Sequence, residues 1–208
     1  MGMDINIYTK ELSVELLPKI RERFADFDMN IEFHPEFKFD EKEDSGFLPI
    51  KLRIKKGNSK KYDDFDSDIM TGFELIFSDF KYQVELDNLQ TQNLSTKSKS
   101  FFSKLFNNKK DLIQSGIFVA DEELDKYLKF CTKEIILSWK SWNVSELRIS
   151  LFFASILAEL TEGVIYDPQE GRYLSASKAL ETFPAEIIDY ENSISESDFN
   201  LDKFEEWI

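Results

Sequence analysis

The stretch from Ser145 to Leu160 constrains the fold more than any other part of this chain. Its apolar residues (Leu147, Ile149, Leu151, Phe152, Phe153, Ile156, Leu157) run almost all the way round a helix instead of along one stripe. A helix of that kind has to be enclosed on nearly every side. Ser145 stands where a cap is wanted, Glu146 falls in the first turn, and Gly163 follows as a stop. Its longest apolar stretch, Ile149 to Leu160, is interrupted by Ser150, Ser155 and Glu159 and is far short of the ~20 residues that a membrane span needs. It reads as the buried central helix of a globular domain, and the rest of the chain has to supply what buries it.

Period-two alternation supplies sheet. Ile5 and Ile7 alternate with Asn6 and Tyr8, which are expected to point outward. Ile31, Phe33, Phe37 and Phe39 form a second run, interrupted at Pro35 as an edge strand or bulge would be. Leu48, Ile50, Leu52 and Ile54 form a third, and Phe73, Leu75 and Phe77 a fourth whose other face carries Glu74, Ile76 and Ser78. The stretch from Glu134 to Trp139 reads as a buried strand, and Val164 to Tyr166 as a short one before the turn Asp167-Pro168-Gln169-Glu170-Gly171. Helical patterns appear at Leu17, Ile20 and Phe24, with Ser13 as a cap, and again from Ala120 to Phe130 behind Asp121. A last helix from Ser177 to Phe183 is expected to stop at Pro184. The expected class is α+β, one domain over residues 1–208. A mostly antiparallel sheet carries the buried helix (about 145–160) packed on it. Residues 87–100, rich in Asn, Gln, Ser and Thr, read as a mobile loop. Lys97 to Lys110 reads as a basic amphipathic helix in which Phe101, Phe102, Leu105 and Phe106 alternate with lysines.

Charge and chemistry narrow the function. The 208 residues carry 40 Asp and Glu against 26 Lys and Arg, a net charge of −14. Phosphate backbones and anionic membrane surfaces repel such a chain, so neither nucleic acid nor membrane is an expected partner; a basic protein is. The segment from Met1 to Lys10 lacks the basic-then-apolar pattern of a secretory signal, and the single cysteine, Cys131, allows no internal disulfide. The expected compartment is the cytoplasm. One histidine, His34, leaves little room for a nucleophile relay, and Cys131 among Leu128, Phe130 and Ile135 reads as a packed thiol. Asp64, Asp66 and Asp68 have the spacing of the first calcium-loop ligands. Ile69 replaces the required glycine and Leu75 the closing glutamate, so a solvated loop is the better reading. Seven glycines make no phosphate loop. No catalytic residue, metal site or cofactor is therefore assigned.

The segment from 185 to 208 is acidic and aromatic. From Glu181 onward nine acidic residues face one lysine, Lys203, a net −8 of the chain's −14. Asp198, Phe199, Asp202, Phe204, Glu205, Glu206 and Trp207 are the candidate partner-binding residues, because aromatics anchor interfaces and charges steer them. The opposing reading is that these aromatics close the domain's own core.

Phe153 to Gly171 (FASILAELTEGVIYDPQEG) resembles a pattern of bacterial domains without an assigned function. In them a buried helix leads into a Gly-Val-Ile-Tyr-Asp-Pro-Gln strand and turn. Such domains often occur beside secreted polymorphic toxins. The resemblance implies an immunity-type protein that occludes a toxin, without enzymatic activity. The alternatives are a scaffold subunit of a bacterial assembly and a carboxylate-dependent hydrolase.

Overall fold

The computed structural model describes residues 2–39, 45–55, 60–63, 65–84, 122–196 and 198–207. The segments read above as a loop (87–100) and a basic helix (97–110), the cap Asp121, and Asp64 of the calcium-loop spacing lie outside the described residues. The fold is α+β. One antiparallel sheet collects β1 (Gly2–Thr9), β2 (Met29–Phe33), β3 (Gly46–Ile54), β4 (Ile69–Asp79), β5 (Lys133–Lys140), β6 (Val164–Asp167), β7 (Arg172–Ser175) and β8 (Asp202–Lys203). The spatial order is β2-β3-β4-β5-β1-β6-β7. Helices α1 (Leu16–Ala25), α2 (Lys60–Asp63), α3 (Glu122–Leu128), α4 (Val144–Thr161) and α5 (Ala176–Ser193) surround it.

Helix α4 is the buried helix. Its cap is Asn143, not Ser145: the Asn143 side chain accepts from the Glu146 backbone N–H at 3.1 Å and from the Ser145 hydroxyl at 2.9 Å. Glu146 accepts from the Lys140 N–H at 2.9 Å and from the Asn143 side-chain amide at 3.1 Å, which closes the preceding turn. Burial raises the Glu146 carboxyl above its ordinary range, and nearby Asp202 adds to the rise. The ring of Phe153 meets Phe33, Phe39 and Phe73 at the centre of the core. Phe152 meets Phe24 and Phe27 on the α1 side.

Several local expectations change. Strand β2 ends at Phe33, and a turn closed by Phe37 N–H to the His34 carbonyl (3.0 Å) follows; Phe37 and Phe39 reach the core from that turn. Helix α1 starts at Leu16, which puts Pro18 in its first turn, where a missing N–H costs nothing. Helix α5 begins after the cap Ser175 and runs through Pro184 to Ser193. The stripe Ala179, Phe183, Ile187, Glu191 is buried throughout and outweighs the hydrogen bond lost at the proline. Tyr8 is not at the surface: with Phe80, Leu124, Leu128, Cys131 and Val164 it forms a second cluster on the sheet's far face, beneath α3.

Strand β4 decides where the C-terminus goes. Residues Ile69 to Leu75 pair with β3, whereas Glu74 to Asp79 pair with β5. Beyond the end of β5, the edge of Ile69 and Met70 is taken by β8. Among the described residues no helix is long and apolar enough to cross a membrane.

Candidate partner-binding surface

The C-terminal segment leaves α5 beside a buried ion pair. Arg148 of α4 and Glu191 of α5, 2% and 1% exposed, meet through two 2.8 Å contacts, Nε to Oε1 and Nη2 to Oε2. Tyr62 of α2 donates to Glu191 at 3.2 Å, and the Arg148 guanidinium lies 5.1 Å from the Tyr62 ring centre. The chain then crosses α2. Lys61 donates to the Ile194 carbonyl, Phe199 meets Tyr62 edge-on at 5.2 Å, and the Lys61 ammonium sits 5.4 Å from the Phe199 ring. After β8, Phe204 donates its N–H to the Asp68 carbonyl at 2.8 Å. Its ring lies under Lys51 (5.3 Å) and against Trp207 (5.0 Å), and Trp207 meets His34 at 5.5 Å.

The candidate residues therefore divide. Phe199, Phe204 and Trp207 are half-buried; Phe199 packs against the core, whereas Phe204 and Trp207 lie on Lys51, His34 and each other. Asp198, Asp202, Glu205 and Glu206 are exposed. Asp198 accepts from the Ser195 hydroxyl at 2.7 Å, and none of the four pairs with a cation among the described residues. The segment is a strap, apolar side inward and acidic side outward, fixed by one pair of strand residues and three aromatic rings.

The other chemistry-bearing residues serve local contacts. Asp68 accepts from Arg53 at 2.5 Å and lies 3.5 Å from Lys51; these cations hold its carboxyl below the usual range despite partial burial. His34 accepts the Glu36 N–H at 3.3 Å. Cys131 is buried, contacts the Tyr127 carbonyl at 3.4 Å, and has its thiol pushed up to about 11 by burial. A cleft of about 620 Å³ opens between α3, the end of α4 and the start of α5, lined by Glu123, Glu159 and Glu162 among others. Arg23 clasps Glu159 at 2.6 and 3.0 Å, and Lys10 holds Glu162 at 2.9 Å, so two of these carboxylates are already matched. Asp167 accepts the Gln169 and Glu170 N–H groups and the Arg172 side chain, so the turn after β6 is built for its own closure.

Sequence reasoning missed the Arg148–Glu191 pair. The signal was present: a charged residue in an otherwise apolar helix has to find a counter-charge. No family model matches this chain, and no curated protein or solved structure matches it.

Proposed function

We propose that the protein is a non-enzymatic binding protein, an immunity protein that neutralises a basic bacterial toxin by occluding it. The observation that carries this reading is the strap. Its four carboxylates stand outward on a segment whose rings are locked inward, so their field is held in place and not averaged over a loose tail. Fixed like charges raise the encounter rate with an oppositely charged partner and fade with salt. The toxin as partner rests on the resemblance of residues 153–171 and on the net charge of −14.

The test is a pulldown of tagged protein from its own host with neighbouring genes co-expressed. Association kinetics of the captured partner then follow. The expected partner is one basic protein, toxic when expressed alone. The quadruple variant Asp198→Asn, Asp202→Asn, Glu205→Gln, Glu206→Gln should associate roughly tenfold more slowly at low salt and with a flatter salt dependence. Unchanged kinetics in a folded variant would end the reading.

A further inference from the structure

With the strap's own rings turned inward, a partner needs another place to anchor, and the sheet's far face has one. Leu48, Ile50 and Leu52 of β3 point into the core, so Phe47, Pro49, Lys51 and Arg53 lie on the far face. That face is covered at both ends. Over β1, β6 and β7 sit α3 and the cluster of Tyr8, Phe80 and Leu128. Over Lys51 and His34 sit Phe204 and Trp207 of the strap. Between the two covers, Phe47 and Ile76 are 44% and 48% exposed. Ile76 is directly opposite Ile136 of β5, and Phe47 is opposite Glu74, two residues from Ile76. The Phe47 ring lies over Gly72, on the side of Glu74 away from Ile76; a Cβ at Gly72 would stand 2.8 Å from it.

The surroundings of this platform carry unmatched negative charge. Glu134, opposite Ser78, accepts from Asn6 at 2.7 Å and from Ser78 at 3.1 Å. These neutral donors fix its carboxylate without cancelling it. Glu74 is exposed, and neither it nor Glu134 pairs with a cation among the described residues. The strap's Glu205 and Glu206 lie at the covered end of the same face.

We propose that the centre of the sheet's far face, open among the described residues, is the anchoring surface for a basic amphipathic segment of the protein partner; its apolar floor is Phe47 on one side of Glu74 and Ile76 with Ile136 on the other, with Glu134 beyond. This rests on the binding function proposed above and assigns the partner's chemistry: apolar side chains to cover the floor, with lysine or arginine on either side of them. The carboxylates of the strap speed arrival, and the apolar floor lengthens residence.

The probe is a short synthetic peptide alternating lysine with leucine and phenylalanine, beside a control with serine in the apolar positions. Both are titrated into the full chain and followed by amide chemical shifts. The amphipathic peptide is expected to bind about tenfold more tightly than the control, because it covers the apolar floor. The largest shifts should fall at Phe47, Ile76 and Ile136. Phe47→Ser with Ile76→Ser should abolish the difference between the peptides, with spectral changes in the free variant confined to the neighbours of the two positions because both side chains are about half exposed and outside the core. The quadruple strap variant should weaken both peptides alike and keep their ratio. Equal binding of the two peptides, shifts elsewhere, or an intact ratio in the double serine variant would overturn the proposal. So would concentration-dependent shifts at this face without peptide, which would make a second copy its occupant. If the strap variant still weakens both peptides, the steering role of the carboxylates stands even though the anchoring surface has failed. If neither peptide responds to charge, the steering role fails as well.

Discussion

Removing the carboxylate of Glu191 should be among the most damaging single changes in this protein. Glu191→Ala strands the Arg148 guanidinium, 2% exposed, between α4 and α5 without the two 2.8 Å contacts that neutralise it. In the intact protein burial pulls the Arg148 pKa down, and Glu191 more than offsets that pull. Breaking a buried pair from one side costs about 3–5 kcal/mol, because the remaining charge keeps its desolvation penalty. For a chain of this size each kcal/mol moves Tm by about 2–4 °C, so a fall of roughly 6–20 °C is expected. Urea unfolding followed by circular dichroism gives the free energy directly. Replacing the pair together with the hydroxyl that donates to it, Arg148→Met and Glu191→Leu with Tyr62→Phe, should recover stability to within about 1 kcal/mol of the natural chain, since neither a charge nor an unpaired hydroxyl is then buried. Tyr62→Phe removes only the 3.2 Å hydrogen bond and should cost about 1 kcal/mol. A cost below about 1 kcal/mol for Glu191→Ala would refute the reasoning, because it would mean that the guanidinium reaches water.

Other consequences follow from single contacts. The Cys131 thiol, raised by burial to about 11, should resist alkylation at mildly alkaline pH in the native state and react readily in denaturant. Because its folded pKa lies above the unfolded one, its contribution to stability is full below the unfolded pKa. It should decline as pH rises through about 9 to 11, a loss that Cys131→Ala should remove from a pH series of urea midpoints. Gly163→Ala should cost about 1–3 kcal/mol, since its Cβ would stand 2.5 Å from the Tyr8 carbonyl oxygen, a backbone atom that cannot swing aside; an unchanged urea midpoint would contradict this. Phe199→Ala should loosen the strap by about 1–2 kcal/mol. The expected sign is faster amide exchange at Lys203 and Phe204 with the urea midpoint of the whole domain little moved; unaltered exchange would mean that the strand pairing of β8 alone holds the strap.

The elements most readable in the sequence are those whose side chains repeat. The helix around Phe153 announces itself because it is apolar all round, β3 and β4 because they alternate, and β5 because it is a short apolar run (Ile135, Ile136, Leu137, Trp139). Periodicity says which residues share a face but not what covers it. That is why Tyr8 reads as outward although α3 lies over it. It is silent about an element as short as β8, whose two residues have no period and whose place depends on β4 outrunning β5. Local rules also compete. Pro184 is a stop signal, yet the stripe from Ala179 to Glu191 continues beneath it, and tertiary burial prevails. Ser145 and Asn143 both qualify as caps; only the position of Glu146, three residues after Asn143, separates them.

The surface was less legible than the core for a related reason. Composition located the acidic, aromatic segment but could not say which of its side chains face out. In the fold the two kinds separate: rings of Phe199, Phe204 and Trp207 go to Tyr62, Lys51 and His34, and the carboxylates go to solvent. A segment with this composition but no such division would be a loose tail, binding through charge alone. The inward rings convert it into a fixed edge of the sheet, and they consume the aromatic contacts that an interface would otherwise draw from it. For the binding function proposed above, an apolar anchor would then come from elsewhere, from residues that sequence reading treats as half-wet strand positions. Phe47 and Ile76 are such residues, each unremarkable in its own strand. Only the pairing of β3 with β4 and of β4 with β5 places them on one face, on either side of Glu74.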